Sequence, residues 1–377
     1  MVKLSLIIFL SLLFITGCAP KYEQKPHISK ANFQETAWED IAGFHKDNFE
    51  LAFNVFQKGC EKSKNYEKLK DICIKANTSI NSKKFFLENF TPYKLIGTDG
   101  SQKGLITGYY EPILNGSFTK NEQFKYPIYK KPEDLLIIDL SDAYEELKNY
   151  RLRGKLVGDK VIAYDSRESI ESGKNKNLEP ICYVDNKIDL FFLHIQGSGK
   201  IKLQDGQVLN VGYAGQNGRS YYAIGKKLIE DGHIKKENVS LQSIKTWLEN
   251  NPEKIDEILN LNESYVFFRK SQKTATGSLG VELVSGRNLA VDPTYIPLGF
   301  PVFIDTTNPI DQTPIQRLMV AADTGGAIKG EIRADFFFGN GKIAKELAGK
   351  MKQKGSLYIL LPNNIKENKK EMQDAPK

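Results

Sequence analysis

Apolar residues recur at helical spacing between Trp38 and Phe90: Ile41, Phe44, Phe49, Phe53 and Phe56, then Ile72 and Ile74, and later Phe85 and Phe86. With no β-branched alternation in this stretch, the pattern predicts two or three helices, with Trp38 and the phenylalanines in the core. After Pro92 the pattern changes. Gly104–Pro112 and Tyr126–Tyr129 read as strands, and residues 134–152 as a helix with polar faces. The short segments Gly154–Gly158 and Val161–Arg167 follow, then an apolar run, Ile188–Ile195, that ends in Gln196-Gly197-Ser198-Gly199-Lys200. A Gly-rich segment, Val211–Ser220, leads into a helix over Tyr221–Glu230; Leu241–Leu259 is again helical and Ser264–Arg269 is a strand. Beyond Arg269, short apolar runs are separated by Gly and Pro turns: Ala290–Pro293, Ile296–Gly299, Pro301–Ile304, Leu318–Ala322 and Ser356–Leu361. That rhythm predicts a small closed barrel, so the chain is mainly β with N-terminal helices. There is no internal repeat.

The two ends have a different character. Leu4–Ile15 is long enough for a signal peptide and short for a membrane span, and Ile15-Thr16-Gly17-Cys18 has the form of a bacterial lipobox. Residues 1–17 are therefore read as a leader and Cys18 as a lipidated N-terminus, with an ordinary secretory signal as the alternative. Ala19, where an aspartate would favour inner-membrane retention, points to an outer-membrane lipoprotein facing the periplasm. Residues 18–32 read as a tether and 363–377 as a disordered Lys- and Glu-rich tail.

Length and charge narrow the partners. With 377 residues, 40% of them hydrophobic, the chain can bury a large core and form two domains. The formal charge of +7 falls to +6 when Lys3 leaves with the leader. The basic residues are interspersed with acids and form no block with aromatics, which excludes nucleic acid; an anionic envelope polymer fits, although solubility alone also accounts for the charge. Cys60 and Cys73 form no CxxC pair. Either they make a disulfide or they are small buried apolar residues, and the second is preferred. His27, His45, His194 and His233 show no ligand spacing, so no metal is implied. Gly197-Ser-Gly-Lys200 fails as a phosphate loop: His194 stands where the first glycine is needed and Ile201 replaces Ser or Thr, so no nucleotide cofactor follows.

Candidate chemistry concentrates in residues 317–339. Asp323 ends an apolar run before Thr324-Gly325-Gly326, where it serves equally as a turn cap or as a catalytic carboxylate. Asp335 opens a run of three phenylalanines, Phe336–Phe338, and apolar surface on its flanks would raise its pKa and suit a general acid. Lys329 and Arg333 would oppose that if they came close. Gln216, Asn217 and Arg219 can hydrogen-bond sugar hydroxyl and acetamido groups, although a tight helix start explains them as well. Tyr109 and Tyr110 either pack or present rings to a sugar. Glu111 invites a catalytic role but reads rather as a solvated edge charge, and His194 reads as a hydrogen-bonding core residue rather than a catalyst.

Together, Gly108-Tyr-Tyr-Glu-Pro112, Leu193-His-Ile-Gln-Gly-Ser-Gly199, Tyr213-Ala-Gly-Gln-Asn-Gly218, Tyr265-Val-Phe-Phe268 and Ala322-Asp-Thr-Gly-Gly-Ala-Ile-Lys-Gly330 resemble the membrane-bound lytic murein transglycosylase A family. The resemblance runs in order over about residues 92–362, and its C-terminal part is similar to the domain named for three aspartates, with Asp292, Asp323 and Asp335 filling those positions. It implies a double-psi β-barrel from 33–108 and 269–362, a second β-domain over 109–268 inserted into it, and a groove between the two for a glycan strand. The implied reaction cleaves the β-1,4 bond between N-acetylmuramic acid and N-acetylglucosamine without water, leaving a 1,6-anhydro-muramyl end. Asp335 would be the acid, with Asp292 and Asp323 as its support. Tyr109, Tyr110, Gln196, Gly197, Ser198, Gly199, Tyr213, Gln216, Asn217, Gly326 and Ala327 would bind glycan. Peptidoglycan strands and the outer membrane, through the lipid on Cys18, are the implied partners; cell-wall synthesis or division complexes are the protein partners, for a monomer. A lipoprotein that binds glycan without cleaving it is the alternative, and a hydrolase pairing Asp335 with Asp323 or Glu331 is a third reading.

Overall fold

The computed structural model describes residues 32–63, 67–147, 150 and 152–363; the leader, Cys18, the tether up to residue 31 and the tail beyond 363 lie outside them. Three helices carry the predicted phenylalanine pattern: α1 Phe49–Ser63, α2 Glu67–Ala76 and α3 Ser82–Asn89. Asn81 caps α3, its side chain accepting from Lys84 N at 2.9 Å. Phe49, Phe53 and Phe56 share one face of α1, at which Phe53 meets Phe85 with ring centroids 4.9 Å apart. Cys60 and Cys73 form a disulfide joining α1 to α2 across a Cα separation of 5.4 Å, which overturns the reading of two independent buried thiols. Both are buried, as that reading held, but the two helices bring their Cβ atoms face to face.

Eight strands form the sheet under these helices, in the order β1-β2-β17-β14-β15-β13-β16-β3. They are β1 Asn32–Glu35, β2 Phe90–Ile96, β3 Gly104–Glu111, β13 Asn288–Val291, β14 Pro301–Thr307, β15 Pro314–Asp323, β16 Arg333–Asn340 and β17 Lys352–Pro362. Because β3 also pairs with β17, six of the strands close into a ring. Two of its pairings, β13–β15 and β16–β3, are parallel; they join segments far apart in sequence. Closure crowds the backbone at Gly104, where an added Cβ would lie 1.7 Å from the carbonyl oxygen of Ile332. Only glycine fits there.

A second sheet is built from the chain between β3 and β13, in the order β12-β11-β10-β4-β9-β5. Its strands are β4 Ile113–Ser117, β5 Tyr126–Tyr129, β9 Pro180–Val184, β10 Ser198–Leu203, β11 Val208–Gln216 and β12 Val266–Ser271. The apolar run at 188–195 is a helix, α5 Lys187–Gln196. Leu190 and Leu193 pack on the sheet while Ile188, Phe191 and Phe192 pack on α6 Ile224–Glu230, α7 Leu241–Asn250 and α8 Ile255–Asn260. A helix covered on two sides has no polar face to show, hence its unbroken run. Ahead of it lies the short helix α4, Arg167–Glu171.

The described residues of 134–152 form no α-helix. They hold β6 Leu136–Ile138, a turn and the start of β7 Leu152–Val157, which with β8 Lys160–Ala163 make a third sheet. Asp139 accepts from Ser141 N at 3.0 Å and from Ser141 Oγ at 2.6 Å, a local turn that competes with helix. Ile296–Gly299 is likewise a turn rather than a strand, closed by Ile296 N donating to Asp292 O at 3.0 Å. The helix expected from Tyr221 starts at Ile224. Two helices were not anticipated: the short α4, and α9 Gly341–Lys350, whose buried face is only Ala344 and Ala348.

Candidate active site

Asp335 sits in the middle of the ring wall, opposite Ala290 on β13 and level with Thr107 on β3. Side chains alternate along a strand, so Arg333, Asp335 and Phe337 share one face of β16 while Phe336 and Phe338 point to the other. Two of the three phenylalanines expected to flank the carboxyl group therefore point away from it. Instead, Arg333 Nη1 donates to Asp335 Oδ1 at 2.6 Å, Thr107 Oγ1 donates to the same oxygen, and Arg333 Nη2 donates to Thr107 Oγ1 at 2.8 Å. The pair is largely enclosed, with side-chain exposures of 14% and 17%. Oδ1 is fully engaged. Oδ2 makes no hydrogen bond among the described residues.

Asp323 ends β15 nearby. It accepts from Thr324 N at 2.8 Å and from Ser278 N and Oγ, both at 2.9 Å. Burial pushes its carboxyl group above the ordinary range despite these bonds. Tyr109, level with Phe337, packs tilted against that ring with centroids 5.0 Å apart and is buried. Its hydroxyl group is directed at Asp323 outside ordinary hydrogen-bond geometry. Burial, then the charges of Asp323 and Asp335, hold the phenol well above its usual value, so it stays a neutral donor between two carboxyl groups.

Asp292 serves differently. Buried, it accepts from Thr294 N at 3.2 Å and from Gly330 N at 3.0 Å, and so braces the loop between β15 and β16. Exposed Lys329 lies 4.0 Å from it. Glu331 accepts from Thr98 N at 3.0 Å, turned to the 97–101 turn. Gly326 and Ala327 are exposed at the loop tip.

The second sheet approaches the same ring face. Tyr110 N donates to Gln196 Oε1 at 3.0 Å, and the Tyr110 ring packs on Ala344 and Ala348. Both tyrosines take the packing alternative, leaving no open ring face for a sugar. Gly197 adopts a left-handed φ of 76° at the end of α5 with open space around it, and half-buried Ser198 follows. Gly199 is a packing glycine: an added Cβ would lie 2.5 Å from Leu193 Cδ1. Tyr213 is 44% exposed, and Gln216 Oε1 accepts from Ser264 Oγ at 3.4 Å. Asn217 is 1% exposed, its amide donating to Asp165 O and Glu263 O at 2.8 Å and accepting from Tyr265 N at 2.9 Å. With its hydrogen bonds taken by backbone, it clasps the segment and cannot reach a glycan. Arg219 Nε donates to Tyr164 O at 2.8 Å.

Sequence reading missed Thr107 and Tyr221; Arg333, which it set against a protonated Asp335 if the two came close, does come close. Arg333 and Asp335 at i, i+2 on a strand necessarily share a face, a signal open to a careful reader. Thr107 has no local signal. Tyr221 reads in the sequence only as the start of a helix; the residue is 43% exposed, and burial first, then the charge of Asp335, raise its pKa.

The description "MltA specific insert domain" matches residues 105–269 and "3D domain" matches 287–361. The membrane-bound lytic murein transglycosylase A of Escherichia coli K12 is 33% identical over 276 residues, 71% of this chain and 68% of that protein. This chain belongs to the membrane-bound lytic murein transglycosylase A family. Solved members share the fold. The Agrobacterium tumefaciens enzyme superposes with a TM-score of 0.80 at 31% identity, covering 89% of this chain and 99% of that one. The Neisseria gonorrhoeae protein gives 0.77 at 33% identity over 88% and 93%. An Escherichia coli member solved with bound chitohexaose gives 0.66 at 26% identity over 89% and 92%. Like these, this family member is mainly β with some helices. No helix among its described residues is long and apolar enough to cross a membrane.

Proposed function

We propose that this protein is a lytic transglycosylase of peptidoglycan, held at the outer membrane by lipid on Cys18, that forms 1,6-anhydro-muramyl ends with Asp335 as its single acid and base. Family membership and the chitohexaose-bound relative support the substrate class. The observation that carries the chemistry is the Asp335–Arg333–Thr107 triangle, which occupies Oδ1 and leaves Oδ2 to work. A glycan lying between the ring and the second sheet would present its glycosidic oxygen to Oδ2. Arg333 must exchange Asp335 for the sugar before Oδ2 delivers its proton. As the C1–O4 bond breaks, positive charge develops at the muramyl C1 and Oδ2 protonates the departing oxygen. The carboxylate, again held by Arg333 and Thr107, then takes the proton of the C6 hydroxyl group, whose oxygen closes on C1. Because that nucleophile is tethered to the reacting ring, proximity replaces an ordered water.

A hydrolase would need a second carboxylate placed for nucleophilic attack or for activating water. Glu331 is directed elsewhere, and Asp323 is bound by three donors and enclosed, a supporting neighbour with Tyr109. Asp292 supports the site by bracing the loop at Gly330. The six-strand ring with its two parallel pairings fits a double-psi barrel with the second sheet as an inserted domain. Mass spectrometry of muropeptides from digested sacculi tests the function: anhydro ends are expected. Reducing ends would support the hydrolase, and no release would support a binding lipoprotein.

A further inference from the structure

Glu111 is an acidic side chain buried where such side chains are rarely buried. It ends β3, the last ring strand before the chain passes through Pro112 into β4, and it is 2% exposed. The expectation of a solvated edge charge is overturned. Its Oε2 lies 3.4 Å from Lys200 Nζ on β10 and accepts from Asn340 Nδ2, also at 3.4 Å, at the end of the strand that bears Asp335. Its Oε1 is buried with no hydrogen-bond partner. A desolvated carboxylate with one oxygen unpaired is a cost that a packing role does not require. Neutral bonds join the same pieces beside it: Tyr110 N to Gln196 Oε1 at 3.0 Å and Lys200 N to Pro112 O at 2.8 Å. Glu111 and Lys200 are the charged members of this junction.

We propose that Glu111 is a positioning residue that fixes the second sheet against the strand carrying Asp335, through Lys200 on one side and Asn340 on the other. It touches neither glycan nor reacting atoms. Its effect is on the spacing between the strand that bears Asp335 and the second sheet, between which the sugar would be held. The catalytic consequence rests on the transglycosylase reading; the mechanical one does not.

The test uses the full chain with Glu111→Gln, Lys200→Met and the double variant. Anhydro-muropeptide release from sacculi is followed, and nitroxides at Val208→Cys and Ile343→Cys, which are 58% and 75% exposed, report the spacing of sheet and ring. Glu111→Gln is expected to lower kcat about tenfold with KM within about twofold, and to broaden the nitroxide distance distribution. Lys200→Met should do the same, and the double variant should be no worse than either single one, because the two residues act as a unit. Should Glu111→Gln fail to fold, Lys200→Met, at a side chain 20% exposed, carries the same test. Wild-type kinetics with a wild-type distribution, losses that add, or activity that falls only in step with melting temperature would each overturn the proposal. If the wild type releases no anhydro product, the transglycosylase reading fails, while the nitroxide distribution still decides whether Glu111 fixes the sheet.

Discussion

Which oxygen of Asp335 is left open decides what the residue can do. Arg333 and Thr107 both close on Oδ1, so the carboxyl group is presented edge-on with Oδ2 outward. Asp335→Asn preserves size and shape but carries no transferable proton; it should fold and lose more than about 10²-fold in muropeptide release. Near-full release by this variant would refute the assignment. Thr107→Val keeps the shape of the β3 side chain and removes one donor to a charged acceptor, an interaction worth about 1.5–3 kcal/mol. Its kcat should fall roughly tenfold with KM little changed, since Thr107 orients the acid and does not hold the sugar. Equal kcat would show that Arg333 alone orients the carboxyl group.

The elements around the site show what periodicity can reveal. The disulfide between α1 and α2 spans a separation of 13 residues, for which loop closure stabilises by about 3 kcal/mol. Cys60→Ser with Cys73→Ser should lower the denaturation free energy by that order, and a reductant should do the same to the wild type. The second sheet has its own pH sensitivity through α5. His194 lies between the rings of Tyr265 and Phe268 with Nδ1 3.0 Å from Arg167 Nη1; burial first, then that positive charge, holds its pKa well below 6.5. The folded protein keeps it neutral while the unfolded chain protonates it. The stability it confers is therefore full above about pH 6.5 and lost below, by about 1.4 kcal/mol per pH unit. Denaturation midpoints should fall between roughly pH 7 and pH 5, and His194→Gln should flatten that fall. The Phe-rich helices and ring strands were legible because apolar spacing records which face is buried. The segment at 134–152 was not, because its spacing fits a helix while Asp139 turns the chain. Nor was α9, whose buried face is two alanines. The contact between Thr107 and Asp335 joins residues 228 apart through a parallel pairing, and no local pattern encodes it.

At the scale of the molecule, the chain leaves the ring at β3, builds a second sheet and returns at β13. The second sheet is thus one continuous excursion from the ring, which it leaves at Glu111 and Pro112. On the proposed reading, such an arrangement would deliver a sugar to a single acid and draw its nucleophile from the sugar itself. Digestion of sacculi in water enriched in oxygen-18 tests that claim most directly. The account predicts 1,6-anhydro-muramyl ends that carry no heavy oxygen, formed by the wild type and not by Asp335→Asn. Reducing muramyl ends bearing one heavy oxygen would show that water is the nucleophile and would contradict it.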